Sequence, residues 1–200
     1  MNSSGLVKIY DTTLRDGSQA EDIAFSVEDK IRISQKLDEL GIHYVEGGWP
    51  GSNPRDLQFF QEIKSIPLSH AKIVAFGSTC RAGTMPQKDF NIQALIEADT
   101  KVVTIFGKSW DIHPIEALNI TLDQNLEIIH QSVRFLKDRV EEVIFDAEHF
   151  FDGFRNNPQY ALSTLIAAQD AKADWIVLCD PNGGTFPYEI QSIIQEVKRK

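Results

Sequence analysis

Six short apolar runs recur along the chain, at 6–11, 43–47, 72–77, 101–107, 142–148 and 174–180, and each closes on a polar or glycine residue. They are rich in β-branched residues and nearly continuous, as in Lys101-Val102-Val103-Thr104-Ile105-Phe106-Gly107. That pattern predicts strands covered on both faces, the signature of a parallel sheet. Between them lie segments with helical spacing. In 28–40, Ile31, Ile33, Leu37 and Leu40 form an apolar stripe, with Ser26 placed to cap the first turn and Gly41 to stop the last. Further helices are predicted at 55–64, 91–98, 121–139, 160–172 and 187–200.

The order is therefore strand then helix, six times over, with no linker or charge run to mark a boundary. A doubly wound open sheet is complete with six such units, whereas a (β/α)8 barrel needs eight. The strand ends recur about every 34 residues, so eight units would need roughly 270. Periodicity alone leaves both architectures open. Either one places its chemistry at the carboxyl ends of the strands.

Composition narrows the partners. With 200 residues, 42% hydrophobic and 24% charged, the chain reads as a globular domain. Its 20 Lys and Arg against 29 Asp and Glu give a net charge of −9, which argues against nucleic acid or an anionic membrane as a partner. Cys80 and Cys179 lie far apart, residues 1–5 carry no apolar leader core, and no apolar run approaches bilayer length. Reduced thiols and a cytoplasmic location are expected.

The strand ends hold the candidate chemistry. The first runs into Asp11-Thr12-Thr13-Leu14-Arg15-Asp16-Gly17. Carboxylates and an arginine at a strand end are costly to bury unless they meet each other, a ligand or a metal. Asp16 is a hard oxygen donor suited to Mg²⁺ or Mn²⁺ and acceptable to Zn²⁺. Arg15 could place its fork on a carboxylate or a developing oxyanion, or simply pair on the surface. Glu46, ending the second strand, wants a cation, and Arg15 is the nearest candidate in the sheet. Gly47 and Gly48 permit close approach of a ligand to the backbone, though turn formation is the plainer use. Asp146 and Glu148 share one face of the fifth strand, and two carboxylates in one site push one pKa upward. His149 points the other way, which reads as structural. The glycines of Asp180-Pro181-Asn182-Gly183-Gly184 match no phosphate-binding fingerprint. Lys108, after the fourth strand, offers a cation to a substrate or belongs to a loop closed by Trp110.

The first of these motifs resembles the opening of the DRE-TIM metallolyase family, the group of isopropylmalate, homocitrate and citramalate synthases and hydroxymethylglutaryl-CoA lyase. The segments 45–54, 107–113, 146–153 and 178–184 are similar to its citramalate synthase branch, so the resemblance covers essentially the whole chain. It implies a TIM-barrel fold, here with only about six βα units. It implies a Claisen-type condensation of acetyl-CoA with a 2-oxo acid, pyruvate in this branch, in a biosynthetic homo-oligomer. By the same resemblance Asp16 is a divalent-metal ligand and Arg15 polarises the oxo group. Glu46 orients Arg15 and the substrate, Glu148 serves enolisation of the acetyl group, and Asp146 and Asn182 contact substrate.

Two departures accompany the resemblance. The family commonly has Thr where this chain has Pro181, which removes a hydroxyl and an N–H. The family's remaining metal ligands form a His-x-His pair on a seventh strand, and none of the five histidines here is so spaced. Residues 1–200 are accordingly expected to be the N-terminal part of a catalytic barrel, without strands seven and eight or a C-terminal regulatory domain, and with little condensing activity alone. Three alternatives remain at this point: an isopropylmalate or homocitrate synthase, a lyase running the chemistry in reverse, and a non-catalytic module that pairs with another chain through its open edges.

Overall fold

The computed structural model describes residues 7–199. Six strands, β1 (Tyr10–Asp11), β2 (Tyr44–Gly48), β3 (Lys72–Ser78), β4 (Val102–Lys108), β5 (Glu142–Glu148) and β6 (Trp175–Leu178), all pair in parallel. Their spatial order follows the chain, β1-β2-β3-β4-β5-β6. A doubly wound sheet reverses direction at a switch point, so this unbroken sequence of neighbours is the winding of a barrel. Six strands make an arc of it. The open-sheet alternative is thereby removed.

Helices α1 (Val27–Glu39), α2 (Pro54–Ile63), α3 (Phe90–Glu97), α4 (Leu122–Lys137), α6 (Pro158–Asp170) and α7 (Pro187–Val197) lie where the apolar spacing puts them. An additional helix, α5 (Phe150–Asn156), follows β5 directly. His149 turns the chain with φ 54°, and the start of α5 takes the Cys179 carbonyl through the Phe150 N–H at 3.1 Å. Gly153 lies so close under the Ser109 carbonyl that a Cβ would sit 2.2 Å from it. The spacing of Phe150, Phe151 and Phe154, all buried, was the available signal for this helix.

Two expected elements are shorter than the apolar runs suggest. Before Tyr10 the ladder is interrupted because the Ile9 N–H donates to the His43 imidazole at 3.1 Å. After Leu178 the Cys179 carbonyl is committed to α5. Leu6 and Lys200, at the outer limits of the expected first strand and last helix, lie outside the described residues.

The main core fills the space between sheet and helices, built on Phe59, Phe60, Phe145, Ile129 and Leu136. A smaller cluster, Tyr44, Val74, Val102 and Ile144 with Tyr10, lines the inner face of the arc. The apolar stripe of α1 is corrected at one end, since Leu40 is 75% exposed. Instead α1 buries a polar row, Lys30, Ser34 and Asp38. Asp38 accepts the backbone N–H groups of Ser69, His70 and Ala71 at 2.6–2.8 Å, fixing the entry to β3. Lys30 donates to Asp56 at 2.5 Å and to the Gly47 carbonyl at 2.9 Å, tying α1 and α2 to the end of β2. No helix of the described residues is long and apolar enough to cross a membrane.

Across the amino ends of the strands runs a second polar tie. Glu142 on β5 accepts from Lys72, from the Tyr44 hydroxyl at 2.8 Å and from the Trp175 indole at 3.1 Å. Lys8 donates to Tyr44 at 2.9 Å and lies 4.9 Å from the centre of the Trp175 ring. Side chains from β2, β3 and β6 thus meet on one carboxylate of β5. Burial opposes ionisation of Glu142, but the donors from Lys72, Tyr44 and Trp175 outweigh it and lower its pKa to about 2. The folded chain keeps Glu142 ionised below the range where the unfolded chain protonates it. Its contribution is therefore complete above about pH 5 and is lost as the pH falls toward 2. Glu142→Gln is expected to cost about 1–3 kcal/mol at pH 7 and progressively less at lower pH, measured by urea unfolding at a series of pH values. An equal cost at pH 7 and pH 2.5 would remove the electrostatic account.

Candidate active site

The β1–α1 connection carries the first half of the site. Asp11 is spent locally, accepting the Thr13 backbone N–H at 3.0 Å and the Thr13 hydroxyl at 3.1 Å. The N–H groups of Arg15, Asp16 and Gly17 all converge on the Thr12 carbonyl at 2.8–3.2 Å, and fully buried Leu14 anchors the turn. This leaves Arg15 and Asp16 at the rim of the arc.

Arg15 Nε donates to Glu46 Oε1 at 2.5 Å. The other Glu46 oxygen accepts from the Tyr10 hydroxyl, which is also 2.8 Å from the Thr104 hydroxyl. Glu46 has no exposed surface, so its charge rests on these two donors. Burial still pushes its pKa up, against the pull of Arg15 and Tyr10. Tyr10 is pushed well up as well, by burial and by the carboxylate beside it. The expectation that Glu46 meets Arg15 is thus realised, with a phenol added that the pattern did not indicate.

Arg15, Asp16, Asp146 and Glu148 line one cavity of about 480 Å³ at the carboxyl ends of the strands. Its facing wall is aromatic. Trp49 packs edge-on against Phe76 and Phe106 at 5.8 and 5.6 Å, and the Arg15 guanidinium lies 3.9 Å over the Phe76 ring. Phe76 and Phe106 stack at 5.6 Å, on strands where pattern alone does not separate pocket from core. Trp49 arrives there through a register shift between Glu46 and Gly48. Gly48, with φ 149°, leaves the space that the Asp56 carboxylate fills, and Asp56 accepts the Trp49 N–H at 2.8 Å. Gly47 makes the corresponding room for Phe59, where a Cβ would sit 2.3 Å from the ring.

In register, Phe106 faces Asp146 and Lys108 faces Glu148 across β4 and β5. Lys108 Nζ donates to Glu148 at 2.5 Å, so Lys108 belongs to the site through that carboxylate. Asp146 has no hydrogen-bonded donor among the described residues. Burial first, then the negative charge of Glu46 and of Glu148, raise its pKa to about 7, with Arg15 opposing. The same burial and charge push the Cys179 thiol up, and both Cys80 and Cys179 are free. Pro181 lines the cavity where the family's threonine would stand.

Asn182 is not brought into the cavity. Its amide donates to Asp152 at 2.9 Å, and the other contact of that carboxylate oxygen is the His149 ring at 3.2 Å. His149 packs with Trp110 and His113 in a three-ring cluster above β4 and β5, at centroid distances of 4.9–5.9 Å. This agrees with a structural reading of His149 and of the loop closed by Trp110.

For a divalent cation the fit is incomplete. Asp16 offers one carboxylate, 61% exposed, already paired with Arg15 at 2.9 Å. Among the described residues no three His, Cys, Asp or Glu side chains converge into a coordination set.

Residues 6–200 match the model of the HMGL-like family. An (R)-citramalate synthase from Geobacter sulfurreducens is 65% identical over 97% of this chain and 37% of its own length. Its counterpart from Aquifex aeolicus is 58% identical over the same shares. The chain therefore spans a little over a third of the length of these curated relatives. Among solved structures, the HMG-CoA lyase of Bacillus subtilis superposes with a TM-score of 0.77, at 18% identity, over 97% of this chain and 64% of that one. That likeness is one of fold, and it places the six-stranded arc within a TIM-barrel architecture. With sequence model, close relatives and winding in agreement, the chain belongs to the HMGL-like family, the DRE-TIM group that its strand-end motifs resemble.

Proposed function

We propose that this chain is the N-terminal part of the catalytic barrel of a citramalate synthase, condensing acetyl-CoA with pyruvate. Strands seven and eight would then close the arc between β6 and β1. Support for that placement comes from the inner face, where Trp175 and Val177 on β6 are 44% and 40% exposed. They border an open cavity of about 590 Å³ that Lys8 and Tyr10 flank on the β1 side. In the whole enzyme a divalent cation, Mg²⁺ or Mn²⁺, would take Asp16 as one ligand. The residues described here do not complete its site.

The observation that carries the reading is a fixed guanidinium at a cavity that is polar on one side and aromatic on the other. Arg15 cannot leave Glu46 without stranding a buried carboxylate, so its remaining N–H groups are held in place before substrate arrives. Such preorganised donors are suited to the carboxylate and oxo oxygen of a 2-oxo acid, and to the alkoxide formed when its carbonyl carbon is attacked. The aromatic wall suits a methyl group. Enolisation of the acetyl thioester needs a base, and Glu148 is the carboxylate at the cavity that Lys108 holds and orients at 2.5 Å. Asp146, with a pKa near 7, is placed to hold a proton beside the newly formed oxygen. Asn182 contributes at one remove, by fixing Asp152.

Free-thiol release from acetyl-CoA plus pyruvate by the full enzyme, with product identification, tests the proposal; cleavage of hydroxymethylglutaryl-CoA in place of condensation would reverse it. Arg15→Lys retains the charge but loses the fork. It is expected to lower kcat/KM by about 10²-fold or more, and an effect under threefold would take Arg15 out of the reaction. Asp146→Asn separates fold from function. Because the folded chain holds the Asp146 proton up to about pH 7, stability falls as the pH rises from about 4 to 7. Asp146→Asn should therefore be more stable than the parent by about 1–3 kcal/mol at pH 8, gain nothing at pH 4, and turn over more slowly. A loss of stability at pH 8 would contradict the burial argument.

A further inference from the structure

The aromatic wall of the cavity is held from outside it. The Trp49 indole N–H donates to Asn91 Oδ1 at 2.5 Å, and the Asn91 amide donates in turn to the Ser78 hydroxyl, at the end of the strand that carries Phe76. Asn91 does not line the cavity. It is itself fixed, because it lies in the first turn of α3, where Asp89 accepts the N–H groups of Asn91 at 2.9 Å and Ile92 at 3.1 Å. Room for its carbonyl comes from Gly51, where a Cβ would sit 2.6 Å from Asn91 Oδ1. The indole is therefore pinned at both ends: its backbone N–H by Asp56, its ring N–H by Asn91.

We infer that Asn91 is a positioning residue that sets substrate size, by holding the Trp49 ring edge-on against Phe76 and Phe106 so that the cavity accepts the methyl of a 2-oxo acid and excludes longer chains. The inference rests on the condensation reading above. A tryptophan has two side-chain torsions, and packing against Phe76 and Phe106 restrains them only from one side. The hydrogen bond to Asn91 removes the remaining freedom. Without it the ring can turn away from the Phe pair and open space at the wall. Since Arg15 lies over Phe76, the oxo acid is gripped by a guanidinium whose platform belongs to the same wall. An extra methylene would have to displace a ring that is hydrogen-bonded, which raises the discrimination above that of a loose apolar surface.

The experiment compares pyruvate with 2-oxobutyrate as acceptors, using the full enzyme. Asn91→Ala should raise the ratio of kcat/KM for 2-oxobutyrate over pyruvate about tenfold, the order of a single methylene in an apolar pocket, mainly through KM. Asn91→Asp keeps an acceptor for the indole, with the Ser78 hydroxyl able to donate to it, and should restore the parental ratio within about twofold. A general loss of stability would lower both rates and leave the ratio unmoved. An unmoved ratio in a folded, active Asn91→Ala overturns the inference and leaves the condensation reading intact. Absence of thiol release by the parent with either acid is the separate failure of that reading. Trp49 emission, observed with every other tryptophan of the full enzyme, Trp110 and Trp175 among them, replaced by Phe, gives a readout free of catalysis. It should shift to longer wavelength and become more quenchable by acrylamide in Asn91→Ala, and unchanged emission would also overturn the inference.

Discussion

A carboxylate with no exposed surface lies at the end of the second strand, and the geometry of the site depends on how its charge is met. Glu46 takes one donor from Arg15 and one from Tyr10, and Tyr10 reaches on to Thr104. One side chain therefore couples the connection after β1 to β2 and β4. A buried ion pair of this kind adds little net stability compared with an apolar replacement. Its value is positional. Arg15 is fixed because the alternative, an unpaired buried carboxylate, is far worse.

The remaining charges arrange themselves around that pair. Asp146 sits close enough to Glu46 and Glu148 for their repulsion to add to burial, and Arg15 only partly offsets it. Glu148 instead pairs with Lys108, its register partner on β4. Two carboxylates two residues apart on one strand thus occupy different electrostatic environments, the usual means by which one site holds a base and a proton donor together. Opposite them the aromatic wall gives Arg15 a face to lie on. At the far end of the strands Glu142 performs a purely structural version of the same task, collecting donors from β2, β3 and β6.

Much of this was legible in the residues. Runs of β-branched residues located all six strands, and a lone buried acid beside an arginine identified the Glu46–Arg15 pair. Strand order was not legible, because nearly identical βα units build both a barrel and an open sheet. Phe76 and Phe106 were hidden for a related reason: on a strand covered on both faces, inward and outward apolar residues look alike. The buried row Lys30, Ser34 and Asp38 runs against the apolar stripe of α1: Lys30 and Asp38 satisfy backbone or carboxylate partners distant in sequence, and Ser34 donates to the Lys30 carbonyl one turn back. Asn182 shows a third limit. The family resemblance implied a substrate contact for it, but Asp152 on α5, a helix the strand pattern concealed, holds its amide.

The central claim is that Arg15 and Glu46 act as one unit, and a double-mutant cycle on folding stability tests it most directly. Arg15→Met, Glu46→Leu and the pair together are compared by urea unfolding at pH 7. The account predicts that Arg15→Met alone is the most damaging, that the double variant recovers much of the loss, and that the coupling energy exceeds about 2 kcal/mol. Losses that add to within about 0.5 kcal/mol would show two independent side chains and contradict it.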